Sequence, residues 1–106
     1  MNNLTADYIG TKVLIRSADS GVHFGTLDAV DRDAVRLTDS RRLWAWRIAN
    51  GSGISLTEVA IAGISHDGSR ISMVIPSIVV SGVCEIIPAH GLCVATVESA
   101  PVAKPE

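Results

Sequence analysis

Between residues 12 and 47 the chain alternates short apolar and β-branched runs with turn-forming pairs, at intervals too brief for helices. Residues 12–18 read as a first strand, with Val13 and Ile15 on one face and Lys12, Leu14 and Arg16 on the other. Asp19-Ser20-Gly21 supplies short polar side chains and a glycine able to take positive φ, which is turn chemistry. Residues 22–30 form a second strand interrupted by Gly25. A glycine inside a strand loses backbone entropy without adding packing, so it marks a bulge or a close approach of another backbone. Asp31-Arg32-Asp33 turns the chain again, and residues 34–38 and 41–47 make two more short strands around Asp39-Ser40. Strands this closely spaced pair most simply as an antiparallel meander.

The pattern changes at Asn50-Gly51-Ser52-Gly53, a flexible connector. Ser55-Leu56-Thr57-Glu58 has the spacing of a capping box, in which the Ser55 side chain accepts the amide of residue 58 and Glu58 reaches back. Leu56, Val59, Ala60 and Ile64 recur at helical spacing, and Gly63 sits where a helix-ending glycine belongs, which predicts a helix over 56–62. His66-Asp67-Gly68 is a further turn. Residues 70–75 and 78–87 are β-rich, broken by Pro76 and by Ser81-Gly82, while residues 90–98 fit a helix or a strand. These elements predict one α+β domain over residues 1–98: a small β-rich antiparallel meander with one short helix packed on the sheet. Residues 99–106, with Pro101 and Pro105, read as a flexible tail. Apolar residues make up 47% of the chain, enough for a true core, so a disordered segment is excluded.

Chemistry concentrates in Arg41-Arg42-Leu43-Trp44-Ala45-Trp46-Arg47. Strand alternation places Arg42, Trp44 and Trp46 on one face and Arg41, Leu43, Ala45 and Arg47 on the other. Two indoles beside a guanidinium can stack a base and clasp a phosphate, or can simply fill a core whose edges the arginine covers. Residues 12–47 hold seven basic and five acidic side chains, Arg16 among the former, a mild local excess that suits an anionic ligand. The Ser20-Gly21 turn can offer backbone amides to phosphate or ribose oxygens, and His23 can donate or accept hydrogen bonds near neutral pH. The ligand-binding candidates are therefore Arg16, Ser20, Gly21, His23, Arg41, Arg42, Trp44 and Trp46.

Other chemistries find less. His23, His66 and His90 are scattered, and adding Cys84 and Cys93 gives no metal spacing, so neither metal nor cofactor is expected. Both cysteines read as reduced, mostly buried thiols. No nucleophile elbow, zinc-protease signature or carboxylate pair supports an enzyme. No run reaches the ~20 apolar residues of a membrane span, and no secretory leader opens the sequence, so a soluble cytoplasmic protein is expected. A net charge of −2 argues against a nucleic-acid partner held by bulk phosphate attraction. Exposed together, the tryptophans with Val74, Ile78, Val79 and Val80 would leave a large apolar patch, which predicts a homo-oligomer, a dimer or a tetramer.

These residues also carry a resemblance. The run from Ser20 to Leu27 is similar to the S-A-G-V-x-x-G-x-L stretch of a family of small uncharacterised phage and prophage proteins, and residues 40–46 resemble its A-R-R-L/I-W-Y-W. Residues 55–63 are similar to its S-L-x-x-L-A-x-x-G, and Cys84-Glu85-Ile86-Ile87-Pro88 to its I-E-I-I-P. Ala45 departs from the family's aromatic. The resemblance implies a phage origin, residence in the host cytoplasm and a non-enzymatic role. By analogy with small phage oligomers it suggests an anti-defence sponge, binding and sequestering a small-molecule nucleotide signal. The alternatives are a protein-interaction module that blocks a host factor or serves phage assembly, and a single-stranded nucleic-acid binder.

Overall fold

The computed structural model describes residues 3–49 and 55–104. The connector expected at Asn50 to Gly53 and the last two residues of the expected tail lie outside them. A one-turn helix α1 (Asn3–Ala6) precedes β1 (Lys12–Ser17), β2 (Gly21–Asp31) and β3 (Ala34–Ile48). Helix α2 (Leu56–Ala62) follows, then β4 (Ile64–Ile71), β5 (Ile75–Val80), β6 (Val83–Pro88) and helix α3 (Gly91–Glu98). The sheet runs β4-β3-β2-β1-β6 with every ladder antiparallel, and β5 lies beside the first half of β3. The expected antiparallel meander with α2 packed on it is present, and α3 joins α2 on the same side.

β5 and β6 border opposite ends of the β5-β3-β2-β1-β6 path, yet only Ser81-Gly82 separates them in sequence. The sheet must therefore curl until its ends meet. Two contacts tie that seam: Ser17 Oγ donates to the Ser81 carbonyl at 2.7 Å, and the Val83 amide donates to the Asp33 carbonyl at 2.8 Å. Inside the curl lie Val13, Ile15, Leu27, Val35, Leu37 and Val80. The outer face carries a second core, where Leu14, Phe24, Leu43 and Ile71 pack against Leu56 and Val59 of α2 and Cys93 and Val97 of α3.

β1 and β2 thus bury residues on both faces, and β3 serves both cores by switching parity twice. Val35 and Leu37 point into the curl, whereas Arg41 and Leu43 are buried on the outer side. Residues 34–38 and 41–47, expected as two strands, are one 15-residue strand. It is bent where three steps of β3, Thr38 to Arg41, oppose two of β2, Phe24 to Thr26. Asp39 takes φ 49° at that bulge. Gly25 is required opposite it, because a Cβ there would lie 3.0 Å from the Thr38 carbonyl oxygen. Lower on β3 the register with β4 breaks on either side of Ala45.

Helix α2 occupies the expected residues, and both arms of its capping box are present. The Glu58 carboxylate accepts from the Ser55 amide at 3.3 Å and from its hydroxyl at 2.9 Å, while the Glu58 amide also goes to the Ser55 carbonyl at 3.1 Å. Gly63 ends α2 at φ 82°, and a Cβ there would sit 2.4 Å from Thr96 Oγ1 and 2.6 Å from the Leu92 carbonyl of α3. The glycine is thus both helix stop and helix–helix contact. His66-Asp67-Gly68 falls within β4 as an irregularity, with Gly68 at φ 87°. Pro76 lies in β5, whose second edge is unpaired among the described residues, a place where a sheet accepts proline. Residues 99–104, expected as tail, run beside β4: Val102 bridges Ile71 in parallel, and the Ala103 amide donates to the Ile71 carbonyl at 2.9 Å. Cys93 is buried as expected, and burial pushes its thiol up to about 12, but Cys84 is exposed. Its place on the edge strand β6 leaves no layer to cover it.

Candidate functional site

Where β3 bends, the three-residue break between β4 and β5 opens a cavity of about 210 Å³. His23 of β2 and Ser40, Arg42 and Trp44 of β3 line one side, and Ser72, Met73, Ile75 and Ile78 close the other. Exposure grades inward. Trp44 is 65% exposed at the rim, Arg42 is half-buried, and Ser40 and His23 are each 1% exposed at the floor.

The floor is chemically unusual. Ser40 Oγ is buried with no hydrogen-bond partner, a state that costs about 1–3 kcal/mol when nothing enters to satisfy it. His23 Nε2 lies 2.9 Å from the Ser20 carbonyl oxygen. A carbonyl only accepts, so Nε2 carries the hydrogen and the neutral ring keeps Nδ1 as an acceptor. Burial holds the His23 imidazole below its ordinary value against the opposing Ser20 bond, and the Arg42 charge pushes the same way as burial. Two predictions follow from this floor. Ser40→Ala removes the orphan hydroxyl and should raise the urea midpoint of unfolding, or at worst leave it unchanged; a drop beyond 1 kcal/mol (roughly, by the same unpaired-group figure) would mean the hydroxyl is bonded. Folded His23 takes up its proton at lower pH than the 6.5 of the unfolded chain, so its contribution is complete above that pH. Stability should therefore fall as pH drops from 6.5 through the lower folded value, with a flatter profile in His23→Gln; parallel melting profiles would refute it.

The wall is held firmly. Ser72 Oγ accepts from the Arg42 amide at 2.7 Å and donates to the Met73 carbonyl at 2.9 Å, and the Ser72 amide donates to the Arg42 carbonyl at 2.9 Å. The Ser72 carbonyl accepts from Arg41 Nε at 2.7 Å. Arg41 is 3% exposed and also donates through Nη1 to the carbonyls of Val97 at 2.8 Å and Glu98 at 3.3 Å. These are the terminal carbonyls of α3, where the helix dipole favours a cation. Burial lowers the Arg41 guanidinium from its ordinary value, though arginine stays charged in any such setting.

Of the eight residues expected to bind a ligand, His23, Arg42 and Trp44 come together. Arg41 is a structural clamp behind the wall. Trp46 does not share the Trp44 face: the register break at Ala45 turns it, with Ile48, into the outer core. Arg16 of β1 is committed to Glu85 of β6 at 3.5 Å. Gly21, at φ 81°, and Ser20 shape the β1–β2 turn, and Ser20 reaches the site only by its carbonyl to His23. The expected excess of positive charge is also reduced, since Lys12 pairs with Glu98 at 3.2 Å and Arg16 with Glu85, both carboxylates from outside residues 12–47. Sequence reasoning missed Ser40, read as a turn residue, and Ser72 and Met73, which only tertiary folding brings to the site. Val80, expected in an exposed patch, is buried inside the curl, while Met73, Val74 and Val79 stay exposed. A larger cavity of about 360 Å³ lies between α1, the β2–β3 turn and β6, away from these groups. Among the described residues no cluster of three or more His, Cys, Asp or Glu could hold a metal ion. Nor is any helix among them long and apolar enough to cross a membrane.

This curled sheet is the Sm-like fold. The chain is similar to an archaeal Sm protein whose heptameric crystal structure was described for its implications for the eukaryotic snRNP core: TM-score 0.50, 22% identity, 82% of this chain and 97% of that one. It is also similar to the SmAP1 heptamer of P. aerophilum, with a TM-score of 0.51 and 24% identity over 86% of this chain and 99% of that one. Residues 10–97 match the family described as Domain of unknown function (DUF6948), and the chain belongs to it. No curated protein matches. The fold overturns one expectation. Net charge spoke against a nucleic-acid partner, but Sm architecture is that of a protein discussed with a ribonucleoprotein core, and total charge says nothing about one concave, preformed contact.

Proposed function

We propose that this chain is a non-enzymatic Sm-like protein that assembles into a ring and binds single-stranded RNA. The observation that carries the reading is the exposed Trp44 indole beside the half-buried Arg42, on a wall fixed by Ser72 within an Sm-like sheet. An indole face stacks any unpaired base, and a guanidinium without an ion pair among the described residues answers its phosphate. The volume favours one nucleotide unit of a strand over a free dinucleotide signal: about 210 Å³ falls below the ~300–1,000 Å³ of sites that engulf drug-sized ligands.

Assembly is supported by the sheet edges. The outer edges of β5 and β6 are unpaired among the described residues, and edge strands left open invite pairing with another chain. Pairing β5 of one protomer with β6 of the next is a head-to-tail contact, which builds a ring where the rotation closes. The neighbours in fold are heptamers. A ring repeats the Trp44 platform and lets a strand engage several copies at once.

Fluorescence anisotropy with a labelled single-stranded RNA, alongside native mass spectrometry, tests this. Saturable binding to an oligomer is expected, with a shallow salt dependence: about one phosphate per protomer gives a slope near −0.7 per engaged protomer. A monomer that binds no RNA at low salt would end the reading. The exposed Trp44, Met73 and Val74 favour a second one, a protein-interaction surface with Trp44 as its hot spot. A stable protein complex lost in Trp44→Ala, with no RNA binding, would select it.

A further inference from the structure

We propose that Ser40 is a specificity-determining residue that reads the ribose 2′-hydroxyl, so that the site tells RNA from DNA. This rests on the reading that the Trp44 face takes a single-stranded nucleic acid. The cavity is layered: indole at the rim, guanidinium half-way, Ser40 and His23 at the floor. A base lying flat on an exposed indole stays at the rim. The groups hanging from it are the phosphate, which Arg42 answers, and the sugar, which is left to face the floor.

The floor suits a hydroxyl. Ser40 Oγ has no partner, although it can donate one bond and accept others. His23 spends its ring N–H on the Ser20 carbonyl and retains only an acceptor. A group that both donates and accepts satisfies this pair at once, and a ribose 2′-hydroxyl does both. A second phosphate would not, because anionic oxygens only accept and would face the His23 lone pair. Deoxyribose would fill the space with a C–H and leave Ser40 as unsatisfied as it is in the unliganded chain.

The experiment compares two labelled strands of equal length, oligouridine and oligodeoxyuridine, which share the base and differ only at the 2′ position. Wild type is expected to bind the RNA about tenfold more tightly, the fold-change of one well-made hydrogen bond against an unsatisfied group. Ser40→Ala should bind the two strands alike while retaining its affinity for the DNA strand. Ser40→Thr, which restores a hydroxyl, should recover part of the preference. Equal binding of both strands by wild type, or a preference that survives Ser40→Ala unchanged, overturns the proposal and leaves the single-strand reading standing. Failure to bind either strand overturns that reading and the proposal with it. Because Ser40→Ala removes an oxygen that bonds to nothing in the protein, a folding defect does not confound the comparison, and its circular dichroism should match wild type.

Discussion

Trp44→Ala should weaken single-stranded RNA binding more than tenfold while leaving the melting temperature nearly unchanged. Stacking a base on an aromatic side chain contributes about 1–3 kcal/mol per base, which is about 5- to 150-fold for one site. In a ring each protomer loses the same contact, so the deficit on a strand spanning several copies compounds. Stability is spared because the indole is largely outside the packed interior. Trp46→Ala is the matched control with the opposite pattern. That ring packs against the outer core, so its removal leaves a partial cavity and should cost roughly half the 3–5 kcal/mol of a fully buried aromatic truncation. Its RNA affinity, per folded molecule, should be retained. Anisotropy and urea titration of the two variants separate the cases, and Trp44→Ala with unchanged affinity would remove the platform from the account.

Arg41→Met should be the most destabilising of the substitutions considered. Three hydrogen bonds from a charged donor vanish, leaving the carbonyls of Ser72, Val97 and Glu98 without their partner in a region water reaches poorly. Each carbonyl left without its donor costs about 1–3 kcal/mol, so the three together come to about 3 kcal/mol or more, a large share of the ~5–15 kcal/mol that holds a domain of this size. The methionine recovers some packing, which places the expectation near the low end of that sum. Because Ser72 carries the cavity wall, RNA affinity should fall as well. A urea midpoint equal to wild type would show that the guanidinium is dispensable and that the end of α3 is satisfied otherwise.

Much of the fold was legible locally. The β1–β2 turn, the helix at 56–62 and the constraints at Gly25 and Gly63 each followed from a residue whose backbone chemistry admits few alternatives. The functional face was harder, because strand alternation assumes an unbroken register. β3 breaks it at Asp39 and again around Ala45, and each break exchanges the inward and outward faces. Trp44 and Trp46, two residues apart, therefore lie in different environments, whereas Arg41 and Arg42 part as clamp and contact by ordinary alternation. No short-range signal announces such a bulge. Ser40 shows the same limit: a serine after an aspartate reads as a turn, and its burial emerges only when β5 packs beside β3. Charge misled for a related reason. Lys12, Arg16 and Arg36 are paired with carboxylates, so a count of basic residues overstated the cationic surface while net charge understated what one unpaired guanidinium can do.

The sharpest measurement uses the two indoles against each other. With Trp46 replaced by Phe, Trp44 is the sole tryptophan and reports on its own environment. Titration with single-stranded RNA should quench its emission saturably as bases stack on the ring, and a fully paired duplex of the same sequence should leave it unchanged. Emission that stays constant through saturating single-stranded RNA would contradict the central claim that this indole is the RNA contact.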